Sequence, residues 1–249
     1  MKKVKVTLVS LAFALGCVIP ATAQDSFELS VGADLVSSYQ WRGQSIAGAS
    51  FQPGASISYK GISLGAWGST ELGRFLNIGE DGLEGVAAIN EFDWTLGYGI
   101  SGFSVAITDY YGPYTDNSVK YFAKGAHILE GTVGFDFSSI TEKFPLTIAW
   151  NTNFYNDVLK SDATGDKDYA YSTYIELGYP VKVGEVGLDF AVGFTPWEGA
   201  YSDNFNVVNL SIKASKDIKI TDSFSLPLFG QITVNPNTES AHFVVGLSF

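Results

Sequence analysis

The 249-residue chain holds a single cysteine, Cys17, so it can form no internal disulfide and no thiolate cluster for a metal. Lipid attachment at that cysteine is disfavoured too. Ala14-Leu15-Gly16 lacks the leucine that such a signal carries three positions before the cysteine. Charge is also scarce, at 16% of residues, against about 25% in soluble domains. Bases are the scarcer sign, with 15 Lys and Arg to 26 Asp and Glu and a net charge of −11. That balance excludes nucleic acid as a partner, because phosphates attract basic surfaces. No apolar run is long enough for a transmembrane helix, which needs about 20 residues.

The longest such run, Val6 to Ile19, follows a basic start of Lys2, Lys3 and Lys5 and precedes Ala21-Thr22-Ala23. A basic segment, a short apolar segment and a small-x-small site make up a secretory signal peptide. Residues 1–23 are therefore expected to be a leader and residues 24–249 one mature domain. Cleavage would remove three lysines and no acid, taking the net charge from −11 to −14.

What the chain has in quantity is Phe (18), Tyr (13), Trp (5) and Gly (27), set in a strict two-residue alternation. From Phe27 to Leu35 every odd residue is apolar and every even one small or polar, and the pattern returns from Phe51 to Tyr59. A period of two specifies strands with one apolar face. Twelve such segments follow: 26–39, 50–60, 62–71, 88–100, 103–111, 126–138, 144–155, 168–179, 186–195, 206–216, 224–234 and 241–249.

The connections alternate as well. Lys60-Gly61, Ser101-Gly102, 139–143, 180–185 and 217–223 are short, whereas 40–49, 72–87, 112–125, 156–167, 196–205 and 235–240 are longer or richer in Gly, Asn and Asp. Short turns at one end and long loops at the other characterise an antiparallel up-and-down transmembrane β-barrel, whereas a soluble sandwich has no reason to alternate its loop lengths. The fold class is thus all-β, and Phe249 at the end of an alternating last strand resembles the signal that outer-membrane proteins present to their assembly machinery.

Val36-Ser37-Ser38-Tyr39-Gln40-Trp41-Arg42-Gly43, then Phe51-Gln52-Pro53-Gly54, then Gly65-Ala66-Trp67-Gly68-Ser69 occur in that order. This succession resembles the opening of the TorF family of porins, also called Gcw_chp, over residues 30–71. The resemblance implies an outer-membrane barrel and a channel, but no particular solute.

Alternation assigns Asp34, Trp67, Glu71, Glu91, Asp93, Glu130, Asp136, Asn151, Asn153, Tyr155, Tyr174, Glu176, Asp189 and Lys213 to the interior. With Arg42 at the rim, and Lys213 apart, these are the candidate pore-lining residues. An acidic lumen concentrates cations and repels anions, so the expected function is passive diffusion of small polar solutes with a cation preference. The alternative is a non-conducting barrel with a structural or surface role. Arg42 is expected to reach Glu71 or Glu91. Asn151, Asn153 and Tyr155 are expected to offer hydrogen bonds to a neutral solute, and Trp67 a face for stacking.

Neither His127 nor His242 stands beside a serine in a hydrolase pattern, so no enzyme is expected, and no cofactor or metal is implied. The acids Asp162, Asp166 and Asp168 lack calcium-loop spacing. They read as solvated loop residues facing lipopolysaccharide across divalent ions. The implied partners are outer-membrane lipid and lipopolysaccharide, the barrel assembly machinery and small polar solutes; no oligomeric state is specified.

Overall fold

A chain of alternating strands pairs every backbone group and turns every apolar side chain the same way only if its sheet closes on itself. The computed structural model has that form and describes residues 5–7, 27–75, 90–112, 120–123, 125–161, 165, 167–222 and 224–249. A short strand β1 (Lys5–Thr7) lies parallel to the start of β2 (Glu28–Val36). Then come a small hairpin of β3 (Tyr39–Trp41) and β4 (Gln44–Ala47), followed by β5 (Ser50–Tyr59), β6 (Ile62–Glu71) and the single turn α1 (Leu72–Phe75). The wall continues with β7 (Asn90–Ile100), β8 (Phe103–Tyr111), β9 (Ile128–Asp136) and β10 (Thr147–Tyr155). A second hairpin, β11 (Leu159–Ser161) and β12 (Lys167–Tyr169), precedes β13 (Thr173–Val183) and β14 (Val186–Thr195). Last are β15 (Asn206–Lys219), β16 (Ser225–Asn235) and β17 (Ser240–Ser248).

Apart from β1 and the two hairpins, twelve strands pair antiparallel with their neighbours in sequence. The ring closes where β17 meets β2, from Gly246 opposite Val36 to Ser248 opposite Asp34. Ala33 and Phe249 add two reciprocal backbone hydrogen bonds of 3.3 and 2.9 Å. Each strand lies within one of the twelve predicted segments or overlaps most of it. The predicted leader lies outside the described residues apart from β1.

Two turns are legible residue by residue. Lys60-Gly61 and Ser101-Gly102 both take positive φ at both positions, the twist-matched two-residue hairpin that favours glycine second. Elsewhere the pattern was too regular. Pro180 belongs to β13, opposite Asp189, so that the turn there is only 184–185. Residues 167–169 leave the wall to pair with β11. The alternation of connection lengths also has exceptions: 137–146 is long for the short-turn end, and 236–239 is short for the other.

The faces separate as the alternation requires. Leu29, Ile57, Leu96, Ile107, Ile232 and Phe243 are exposed on the outside. Inside, large polar and aromatic side chains gather toward the long-loop end. On β7 to β10 and β13 the inward positions near the short-turn end are small, among them Gly97, Gly99, Ser104, Gly134, Ala149 and Gly178, whereas Asp189, Lys213 and Phe229 stand inward on β14 to β16. At the long-loop end the β3–β4 hairpin turns into the barrel, its tip bonded to Glu130 and Asn235.

Candidate functional site

The inward hairpin organises the lumen. Arg42 at its tip is 7% exposed and makes a bidentate ion pair with Glu130 of β9, itself 1% exposed, through bonds of 2.5 and 2.8 Å. Its Nη1 also donates to the Tyr201 hydroxyl at 2.6 Å, and Tyr110 donates to Glu130 at 3.0 Å. The guanidinium carbon lies 4.3 Å from the ring centre of Trp41 and 4.8 Å from that of Tyr174. Planar guanidinium suits this combination of forked carboxylate pairing and ring stacking better than an ammonium would. Burial opposes its charge, but Glu130 and the hydroxyls of Tyr201 and Tyr110 more than compensate, holding the Arg42 pKa well above its usual value. Burial likewise raises the Tyr201 hydroxyl, a loop residue.

The next residue explains how the tip can sit so close to the wall. Gly43 has φ +79°, and a Cβ there would fall 1.9 Å from the Val208 carbonyl oxygen of β15. Its own carbonyl accepts from Asn235 Nδ2 of β16 at 3.2 Å. Only glycine meets both conditions without strain.

The predicted partners of Arg42, Glu71 and Glu91, are corrected to Glu130, because the hairpin folds across the lumen rather than along its own wall. Glu71 instead accepts from the Gly48 backbone at 3.0 Å, tying the hairpin's base. Glu91 and Asp93 are 5% and 7% exposed, and each keeps one carboxylate oxygen with no hydrogen-bond partner. Trp67, opposite Asp93 across the β6–β7 pair, is buried edge-on to Tyr39 of the hairpin.

The polar residues of β10 and β13 form a network of their own. Asn151 accepts from Thr132 at 2.9 Å and donates to the Tyr174 carbonyl at 3.0 Å. Tyr174 donates to Glu176 at 2.5 Å and accepts from Asn209 at 2.9 Å. Asn153 donates to Asp157, whose other oxygen accepts from the Ser172 backbone, so Asp157 fastens the loop after β10. Tyr155 is corrected. A β-bulge between Asn153 and Tyr155 sets Asn153 opposite Glu130 but Tyr155 opposite Leu129, moving Tyr155 off the inward face, where it is 38% exposed. Asp136 is also claimed locally: it accepts from the Ser138 backbone at 2.8 Å and caps the 3-10 turn Phe137–Ser139.

A second set of charges lies apart from these acids. Asp34 stands opposite Gln52 and accepts from Ser248, and Lys213 of β15 lies opposite Asp189 and within electrostatic reach of both carboxylates. The Lys213 ammonium sits 4.1 Å from the Phe229 ring centre. Between this wall and the hairpin is a cavity of about 60 Å³.

Tyr201, Tyr110 and Asn209 belong to the site although they were not among the predicted residues. The parity that places Lys213 inward also places Asn209 there, and Tyr110 follows from its register with Asp93. Tyr201 had no signal, since it lies in a connection. On the outer face, His127 Nδ1 lies 2.8 Å from the Asp109 carboxylate and Nε2 2.5 Å from the Tyr121 carbonyl, both of them acceptors. Among the described residues, no three His, Cys, Asp or Glu converge on a metal position. Loop acids Glu80, Asp81, Glu84, Asp162 and Asp166 lie outside the described residues.

A closed antiparallel barrel with an apolar exterior and a polar, partly charged interior has the architecture that membrane-spanning β-barrels share. No protein-family model matches the chain, and no curated protein matches it. The resemblance to the TorF family therefore rests on the motifs in residues 30–71. Among solved structures, OmpF of Salmonella typhi in complex with daunomycin is similar over 90% of this chain and 97% of that chain. Identity is 9% and the TM-score 0.38, too distant to bear on what this chain does.

Proposed function

We propose that this protein is an outer-membrane channel of porin type, through which small polar solutes diffuse along a narrow path beside the inward hairpin. The observation that carries the reading is the unequal filling of the lumen. Small side chains line the short-turn half of β7 to β10, and the constriction at the other half comes from one hairpin with a cavity of mixed polar and apolar lining along one flank. A barrel built only as a wall has no need of that asymmetry, since interior polar groups could satisfy one another throughout its length.

The cation preference then rests on Asp34 and Asp189. Glu130 is neutralised by Arg42, and Glu91 and Asp93 are buried behind Tyr39 and Trp67. With Lys213 beside the two accessible acids, the preference is weak. The alternative, a non-conducting barrel, is favoured by the depth to which the hairpin docks.

Planar-bilayer recording of protein purified from membranes separates the two. Discrete channel openings with a small conductance are expected, and a silent bilayer containing folded protein would sink the channel reading.

A further inference from the structure

The cavity beside the hairpin is bounded by β15, β16, β17, β2 and β5. One enclosed water needs about 10–15 Å³, so 60 Å³ holds roughly four, or one solute of comparable size. Its polar lining is amide and hydroxyl: Gln40, Gln52, Asn209 and Gln231, with Ser38 and Thr233. Amides and hydroxyls donate and accept alike. Another side is apolar, where Val36, Phe229 and Val244 pack as one cluster.

The charges at this cavity leave little for an ion. Asp34 and Lys213 lie within electrostatic reach of each other, and Arg42 is taken by Glu130. A cation meets Lys213 and an anion meets Asp34, so an ion that stops there finds no net counter-charge to offset the water it would shed on binding. A neutral guest loses less. Three lining residues also hold a buried polar atom without a hydrogen-bond partner: the acceptors Gln40 Oε1 and Asn209 Oδ1, and the donor Arg42 Nε. Unpaired buried groups are costly, and a small rotation toward a hydrogen-bonding guest would relieve them.

We propose that this cavity binds a small neutral solute that both donates and accepts hydrogen bonds, of the size of a three-carbon polyol or a primary amide. As a stop on the diffusion path it rests on the channel reading above; as a binding site it does not.

Saturation-transfer NMR on the detergent-solubilised protein tests it, with glycerol and acetamide as neutral probes and acetate and methylammonium as charged ones of similar size. Glycerol and acetamide should receive saturation, and the charged probes at least threefold less. Asn209→Leu and Gln40→Leu should each cut the glycerol signal at least threefold, with folding checked by the gel mobility of unheated samples. Gln40 is on the hairpin and outside the barrel wall, so Gln40→Leu carries the test should Asn209→Leu fail to fold. Equal transfer to all four probes, or an undiminished glycerol signal in folded Gln40→Leu, would overturn the proposal. Since the readout is binding, silent bilayers would end the channel reading without touching this one.

Discussion

Arg42 reaches across the lumen to Glu130, 88 residues further along the chain, and the pair is almost wholly removed from solvent. In ring order β9 lies on the far side of the barrel from the β2–β5 connection that bears Arg42. One ion pair thus fixes both where the first loop goes and how much of the lumen it fills.

Removing one partner of such a pair leaves a charge buried alone, which typically costs about 3–5 kcal/mol. Arg42→Met should therefore lower stability toward urea markedly in lipid or detergent. The double variant Arg42→Met/Glu130→Leu should recover much of that loss, because neither charge then remains uncompensated. Single-channel conductance should rise in both, as the freed hairpin no longer narrows the path. Conductance unchanged in both variants would mean that the hairpin does not set the constriction.

Gly43 makes a cleaner test of docking, since it carries no charge. A methyl group at this position meets the Val208 carbonyl at 1.9 Å in a backbone conformation that L-residues avoid. Gly43→Ala should raise conductance as Arg42→Met does, yet keep the folded barrel's gel mobility, because no wall hydrogen bond between strands is lost. A variant with parental conductance would show that the tip has another way to dock.

The wall was legible in the sequence because alternation has a physical cause there: each residue chooses between lipid and lumen, and a one-residue slip reverses every choice. That logic gives the strand number, the neighbours and the inward set, including Glu130 and Tyr174. It fails where a side chain's direction is not set by a strand. Nothing in Tyr39 to Ala47 says whether the hairpin points out or in, and the Arg42–Glu130 pair depends on that choice. It also fails at the β10 bulge, where the backbone gains a residue while the residue types go on alternating, so Tyr155 looks inward until the register is seen.

The bulge has its own consequence. Because Tyr155 faces away from Asn151 and Asn153, a bulky group attached there should not obstruct the lumen. Labelling Tyr155→Cys with a charged thiol reagent should leave the single-channel current nearly unchanged, because the bulge takes residue 155 off the inward face. A stepwise block on labelling would place residue 155 back inside the barrel.

Selectivity should follow the accessible charges and not the most numerous ones. Counting inward acids alone points to Glu91 and Asp93. Both are enclosed by Tyr39, Trp67 and Tyr110, where a passing ion gains little from them because it would have to leave its water to approach. Asp34 and Asp189 flank Lys213 in the more open part of the lumen, so replacing either shifts the balance around one lysine. Asp34→Asn and Asp189→Asn should each move the reversal potential under a tenfold salt gradient toward anions, whereas Glu91→Gln should leave it nearly unchanged. Lys213→Gln should move it the other way. If Glu91→Gln shifted the potential more than Asp34→Asn, ions would be passing on the β7 side of the hairpin, and the path drawn along the cavity would be wrong.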